Sequence, residues 1–162
     1  MNLFIKRHTV QKRLEIAGSV GAILAFKGSA GWSIAPNSMV FEAIQLMADK
    51  NVGALPVVDN GQLVGMISER DYTRKVTLKG RSSKDTPVQE IMSHEVVTVN
   101  EADTISECMR VMTDSRIRHL PVMEGKKIIG LVSIGDLVRE IISAQTATIE
   151  ALEKYISWDY PA

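Results

Sequence analysis

Two short constellations carry residue types that could hold a ligand: Ser68-x-x-Asp71 and Ser133-x-x-Asp136. Each follows an apolar, β-branched run, so each is expected where a strand gives way to a helix, over residues 71–76 and 136–143. Two chemistries fit that place. Serine caps a helix and an acid in the first turn offsets the helix dipole, which would make both pairs purely structural. The same geometry also lets the serine hydroxyl and the first-turn N–H groups hold a phosphate, while the aspartate accepts both hydroxyls of a ribose. The residues alone leave both readings open. Catalytic groups are sparse: His8, His94 and His119 are scattered, and no Cys/His cluster suggests a metal. His119 has no visible base or nucleophile partner and reads as a structural residue before a buried strand.

The elements that must position these pairs occur twice. Leu55-Pro56 begins a stretch ending at Asp71, and Leu120-Pro121 begins one ending at Asp136, with a constant offset (120 − 55 = 65) and no gap. In the first copy an apolar run over 55–58, the pair Asn60-Gly61 and a second apolar run over 63–67 predict a β-hairpin, because both turn residues tolerate positive φ. Pro56 and Pro121 belong at a strand start or edge. Gly65 and Gly130 interrupt the second strand, which signals a bulge or close approach of another group to the backbone. A helix precedes each hairpin. Pro36-Asn37-Ser38 opens the first, to about Lys50, with Ser38 as N-cap and Val40, Ala43, Ile44 and Met47 on one face. The second has Ile105, Cys108, Met109 and Met112 in the same places, and Thr104-x-x-Glu107 fits a capping box. Cys108 therefore reads as a buried structural thiol.

At 162 residues with 19 basic and 19 acidic side chains, the chain has no net charge. That argues against nucleic-acid binding, which rests on excess Lys and Arg. Aromatic content of 5% is too low for a base-stacking platform. A single cysteine suits a reducing compartment, and no apolar run reaches membrane-spanning length. Repeats of this size are too short to bury a core alone, so the two copies must pack together.

The duplicated Leu-Pro-Val hairpin, the Gly-h-h-Ser-x-x-Asp ending and the preceding amphipathic helix resemble a tandem pair of cystathionine-β-synthase (CBS) domains, over roughly residues 32 to 143. The segments around Ser68–Tyr72 and Arg116–Pro121 look most like the stand-alone two-repeat proteins of bacteria and plant organelles. The resemblance implies an α/β (α+β) fold: two β-α-β-β-α repeats packed as one pseudo-twofold module, with added N- and C-terminal helices. It divides the chain into an N-terminal extension (1–31), repeat 1 (32–77), a linker with a short helical turn (78–95), repeat 2 (96–143) and a C-terminal helix and tail (144–162). It also implies a regulatory adenosine-containing ligand, such as AMP, ADP, ATP, NADH or S-adenosylmethionine, with no catalytic cofactor. In each cleft Asp71 or Asp136, with Ser68 or Ser133, would hold the ribose and phosphate. Ser33 and Ile34, or Thr98 and Val99, would sandwich the adenine with Gly65 and Ile67, or Gly130 and Val132. Arg118 and His119, just before Leu-Pro, would reach the phosphate, where the fixed fork of arginine donors is apt. Gly53 and Ala54 hold the matching places in repeat 1, but Arg70, Arg74 and Lys75 surround Asp71, so the clefts are expected to be chemically unequal.

Outside the repeats, residues 9–26 are expected to form a helix with Val10, Leu14, Ala17, Ile23 and Leu24 toward the repeats, weakened by Gly18 and Gly21. Residues 78–86 read as a mobile, solvated loop, or alternatively as a lid over a bound phosphate. Thr86-Pro87 starts a helical turn to Met92. A separate C-terminal helix is expected over 148–156, with Ile149, Leu152 and Ile156 on one side. The expected function is a non-enzymatic sensor of an adenine nucleotide that modulates an unidentified protein partner, as a homodimer, without nucleic acid or membrane. The alternative is a ligand-independent scaffold or redox-partner-binding protein with vestigial clefts. The expected compartment is the cytoplasm, with an organelle as alternative because residues 1–14 are basic and acid-free.

Overall fold

The computed structural model describes residues 16–28 and 31–159. Its elements run α1 (Val20–Lys27), α2 (Val40–Lys50), β1 (Ala54–Asp59), β2 (Gln62–Ser68), α3 (Glu69–Lys75), α4 (Ile105–Ser115), β3 (His119–Glu124), β4 (Lys127–Ser133) and α5 (Ile134–Asp159), with short 3-10 turns at Thr77–Lys79 and Val88–Glu90. The two antiparallel hairpins, β1–β2 and β3–β4, form separate two-stranded sheets of identical register. Asn60 and Gly61 take positive φ at the first turn (49° and 78°), as their side chains allow, and Gly125 does so at the second (60°). The strand expected to open each repeat shrinks to one parallel bridge, Ile34 to Val57 and Val99 to Val122.

Both signals carried by the strand glycines are realised together. A bulge follows Val57, which faces Gly65, and another follows Val122, which faces Gly130. Each glycine also receives a close neighbour. A Cβ on Gly65 would lie 2.7 Å from Met92 Sδ and 2.9 Å from the Ser93 carbonyl, and one on Gly130 would lie 2.6 Å from Leu24 Cδ2.

Those neighbours show how the repeats close their cores. The first core joins Val40, Ala43, Met47, Leu55, Val57, Ile67 and Val76 to Val88, Ile91 and Met92, which precede repeat 2. The second joins Ile105, Cys108, Met112, Leu120, Val122, Val132 and Leu137 to Val20, Ile23 and Leu24, which precede repeat 1. Each repeat is thus capped by the segment leading into the other. The hydrogen bonds match pair by pair. Val88 N donates to Ser38 O (2.8 Å) and Val20 N to Asp103 O (3.0 Å); Gln89 N donates to Pro36 O (2.9 Å) and Gly21 N to Glu101 O (3.0 Å).

Several boundaries differ from the expected ones for local reasons. In the described part of the N-terminal segment the helix begins only after Gly18 (φ 121°), with Ser19 Oγ accepting from Ala22 N, and Ala17 is exposed. Val10 and Leu14 lie outside the described residues. Helix α2 is capped at Met39 rather than Ser38, and Glu42 reaches back to the Met39 N–H (2.8 Å). The segment 78–86 is solvated over most of its length, as expected, but is anchored at Ser83 and Thr86. Carbonyls of Ser83 and Thr86 accept the first N–H groups of α2, from Phe41 and Val40 (both 2.9 Å), which would otherwise be orphaned. Thr86 is 2% exposed and its hydroxyl donates to Ser82 O. The C-terminal helix is continuous with the helix of repeat 2. No Gly or Pro interrupts 143–148, and the Thr146 and Thr148 hydroxyls bond back to the Ile142 and Ala144 carbonyls within the helix.

The two glycine contacts predict unequal substitution effects. Gly65→Ala meets backbone as well as Met92 and should cost about 1–3 kcal/mol by urea unfolding. Gly130→Ala meets only the tip of the Leu24 side chain, which can change rotamer, and should cost clearly less.

Candidate functional site

Both Ser-x-x-Asp pairs form the same local device. The Ser68 and Ser133 N–H groups each donate to the aspartate three residues on (2.9 Å), and the Asp71 and Asp136 N–H groups each donate back to the serine hydroxyl (3.2 Å). These reciprocal bonds cap α3 and α5, so the structural role is real, and any ligand role must be added to it. Beyond the cap the two aspartates diverge.

Asp71 stands in the wall of a cavity of about 1070 Å³ between the two repeats, large enough for a nucleotide. Its Oδ2 also accepts the Ser68 hydroxyl (2.9 Å), and its Oδ1 faces Lys75 Nζ at 2.9 Å. Across the cavity, repeat 2 supplies Arg116, Arg118 and His119. Arg70 bridges the two sides, donating to the Arg116 carbonyl (3.2 Å). Arg116 ends α4 in the left-handed conformation (φ 53°), the place Asn51 holds at the end of α2. Of the sequence-derived candidates, Ser68, Asp71, Arg70, Arg118 and His119 meet in this one cavity.

Asp136 is 7% exposed and is engaged by the N-terminal segment. Lys27 Nζ lies 2.8 Å from its Oδ2 and donates to the Leu131 carbonyl at 3.0 Å. Arg139 lies 3.6 Å from its Oδ1. In repeat 1 the carbonyl equivalent to Leu131 belongs to Met66 and accepts a backbone N–H, from Ser93 (2.8 Å). Burial alone would raise the Asp136 carboxyl, but the Lys27 hydrogen bond and the Ser133 N–H outweigh it and hold the group below its ordinary range.

The expected adenine sandwich is placed differently. Ile67 and Val132 are fully buried and Val99 is 7% exposed, each within its own core. Ile34 packs against the first core, Ser33 is exposed, and Thr98 lines a shallower groove near the hairpin tips. Strand alternation explains the slip: with Ile67 turned into the core, its neighbour Met66 turns to the cavity. The apolar walls are Met66, Met112, Ile117, Pro121, Val96 and Val97. Cys108 is fully buried, and burial, then the charges of Asp103 and Glu107, push its thiol up to about 11. No group of acids, histidines and cysteine among the described residues is placed to hold a metal.

His119 sits between the two aspartates. Its ring lines the Asp71 cavity, and its Cε1 lies 3.2 Å from where a Gly53 side chain would begin. Burial first, then the charge of Lys27, lowers its pKa against the opposing pull of Asp136. The folded chain therefore binds this proton less readily than the unfolded one. Its stabilising contribution is complete above the unfolded value of about 6.5 and is lost as pH falls toward the folded value. Thermal midpoints should drop as pH is lowered from about 7 to 5, and His119→Gln should flatten that slope.

The CBS domain profile matches residues 32–77 and 88–143. A mitochondrial CBS domain-containing protein of Arabidopsis thaliana is 44% identical over 126 residues, 75% of this chain and 61% of that protein, so the chain spans about three fifths of that relative. The solved structure of a candidate signal-transduction protein with CBS domains from Burkholderia ambifaria is 47% identical, with a TM-score of 0.75 over 78% of this chain and 95% of that one. The CBS domain pair of the protein MJ0100, solved with 5′-methylthioadenosine and S-adenosyl-L-methionine, is 25% identical, with a TM-score of 0.64 over 75% of this chain and 94% of that one. With two in-register copies of hairpin, helix and Ser-x-x-Asp cap, the chain belongs to the CBS domain family as a tandem pair of repeats.

Proposed function

We propose that the protein is a regulatory module, not an enzyme, that binds an adenosine-containing nucleotide of the AMP type in the Asp71 cavity and relays its presence to a protein partner, with a homodimer as the working unit. The carrying observation is that this cavity draws its walls from both repeats: Ser68, Arg70 and Asp71 on one side, Arg116, Arg118 and His119 on the other. A ligand spanning it favours one packing of the repeats over others, which is what a sensor needs. Asp71 can accept a ribose hydroxyl on Oδ1 beside Lys75, and a second on Oδ2 where the Ser68 hydroxyl turns away. The Arg118 fork suits a phosphate, and Met66, Val97 and Pro121 offer an apolar surface to a base. The adenosine ligands of the MJ0100 domain pair support that ligand class.

The Asp136 side is the weaker site in this reading, because a ligand there must displace Lys27 from Asp136. The second reading, a ligand-independent scaffold, draws on the capping bonds, which account for both Ser-x-x-Asp pairs without a ligand.

Thermal unfolding with AMP, ADP, ATP, NADH or S-adenosylmethionine separates them. A ligand at about 100 times its Kd adds roughly 2.7 kcal/mol, a rise of about 5–10 °C for a chain this size. The sensor reading expects at least one ligand to give this rise, Asp71→Ala and Arg118→Ala to lose it, and Asp136→Ala to keep it. No rise with any of the five favours the scaffold.

A further inference from the structure

The long C-terminal helix has two faces with different fates. Toward its own module, Leu137 is fully buried, and Ile134 and Ile141 pack against the second core. Roughly a quarter turn around the helix lie Val138 (44% exposed), Ile142 (58%), Ile149 (56%) and Leu152 (57%). From Gln145 to Lys154 every side chain is exposed, so this half of α5 buries none of them in the core of its own module. A helical segment of that length with no buried side chain gains little from packing and is only marginally stable in water.

The exposed apolar positions are not scattered. Val138, Ile142, Gln145, Ile149 and Leu152 alternate steps of four and three, which is the a/d spacing of a two-helix seam. We infer that this face of α5 pairs antiparallel with the same face of a second copy of the chain. The occupant follows from the self-complementarity of the stripe. About a twofold axis near residue 147, Ile142 lies opposite Leu152 of the partner subunit and Gln145 opposite Ile149 of the partner subunit, each layer occurring twice, as an isologous interface requires. The flanking charges agree: Arg139, 69% exposed, falls opposite Glu153 of the partner subunit. A parallel seam would stack Gln145 on its own copy and leave Arg139 facing no acid. The proposal rests on the dimer named above and adds its surface and polarity; it does not depend on the ligand.

Sedimentation velocity of the full chain at tens of micromolar tests it. The expected result is a dimer that Ile149→Glu with Leu152→Glu weakens at least tenfold while far-UV circular dichroism keeps the fold signature. Arg139→Glu should weaken the dimer, and adding Glu153→Arg should restore it. Thr148→Cys, beside the axis, should form a disulfide between subunits on mild oxidation, with Cys108 buried and silent. A monomeric wild-type chain overturns both the dimer and the surface. A dimer indifferent to the double glutamate variant overturns the surface and leaves the dimer standing. A dimer that dissociates in that variant, but shows neither charge rescue nor the Thr148→Cys crosslink, overturns the antiparallel pairing.

Discussion

Each hairpin of this chain exposes an apolar face that its own repeat cannot cover. The chain covers it with the segment leading into the opposite repeat: Val88–Met92 on the first core, Val20–Leu24 on the second. A repeat of this size buries too little surface to stand alone, so the exchange is a condition of folding rather than an ornament. The rest follows from it. The strand glycines exist to admit the incoming segments, the N-termini of α2 and α4 are closed by them, and the space left between the repeats becomes the cavity.

The exchange also makes the two clefts unequal. The incoming segments are equivalent in their backbone bonds but not in sequence. Before repeat 1 the segment continues as helix α1 and delivers Lys27 to Asp136 and the Leu131 carbonyl. Before repeat 2 it shortens to a single turn, and a backbone N–H from Ser93 meets the matching carbonyl. Asp71 is left at the wall of an open cavity, its charge met among the described residues by Lys75 from its own helix, and it faces three groups from repeat 2. His119 lies where the influence of both clefts overlaps, touching the Asp71 cavity while sensing the charges of Lys27 and Asp136.

Much of this was legible in the sequence because repetition carries its own check. The hairpin register, the buried stripes with Cys108 in place of Ala43 and the Thr104 cap follow from the sequence, but reading the copies against each other groups Arg118 with the Asp136 cleft, whereas the fold sets it across the cavity from Asp71. What was not legible depended on long-range partners. Ser38 looked like the better cap, but Thr86 and Ser83 carbonyls from the linker satisfied α2 instead. The linker reads as a solvated loop, and most of it is one; its anchoring by the Ser83 and Thr86 carbonyls leaves no trace in side-chain pattern. The sequence points to Ile67 for the cleft where the fold presents Met66, because one residue of strand parity decides the face. Nothing in the local sequence joins Lys27 to Asp136, which are 109 residues apart.

The central claim is that one cleft is open to a nucleotide and the other is held by Lys27. Isothermal titration calorimetry of AMP into the wild-type chain and into Lys27→Ala tests it most directly. The account predicts one site per wild-type chain and a second, weaker site in Lys27→Ala. Two equivalent sites in the wild-type chain, or a stoichiometry that Lys27→Ala leaves unchanged, would contradict it.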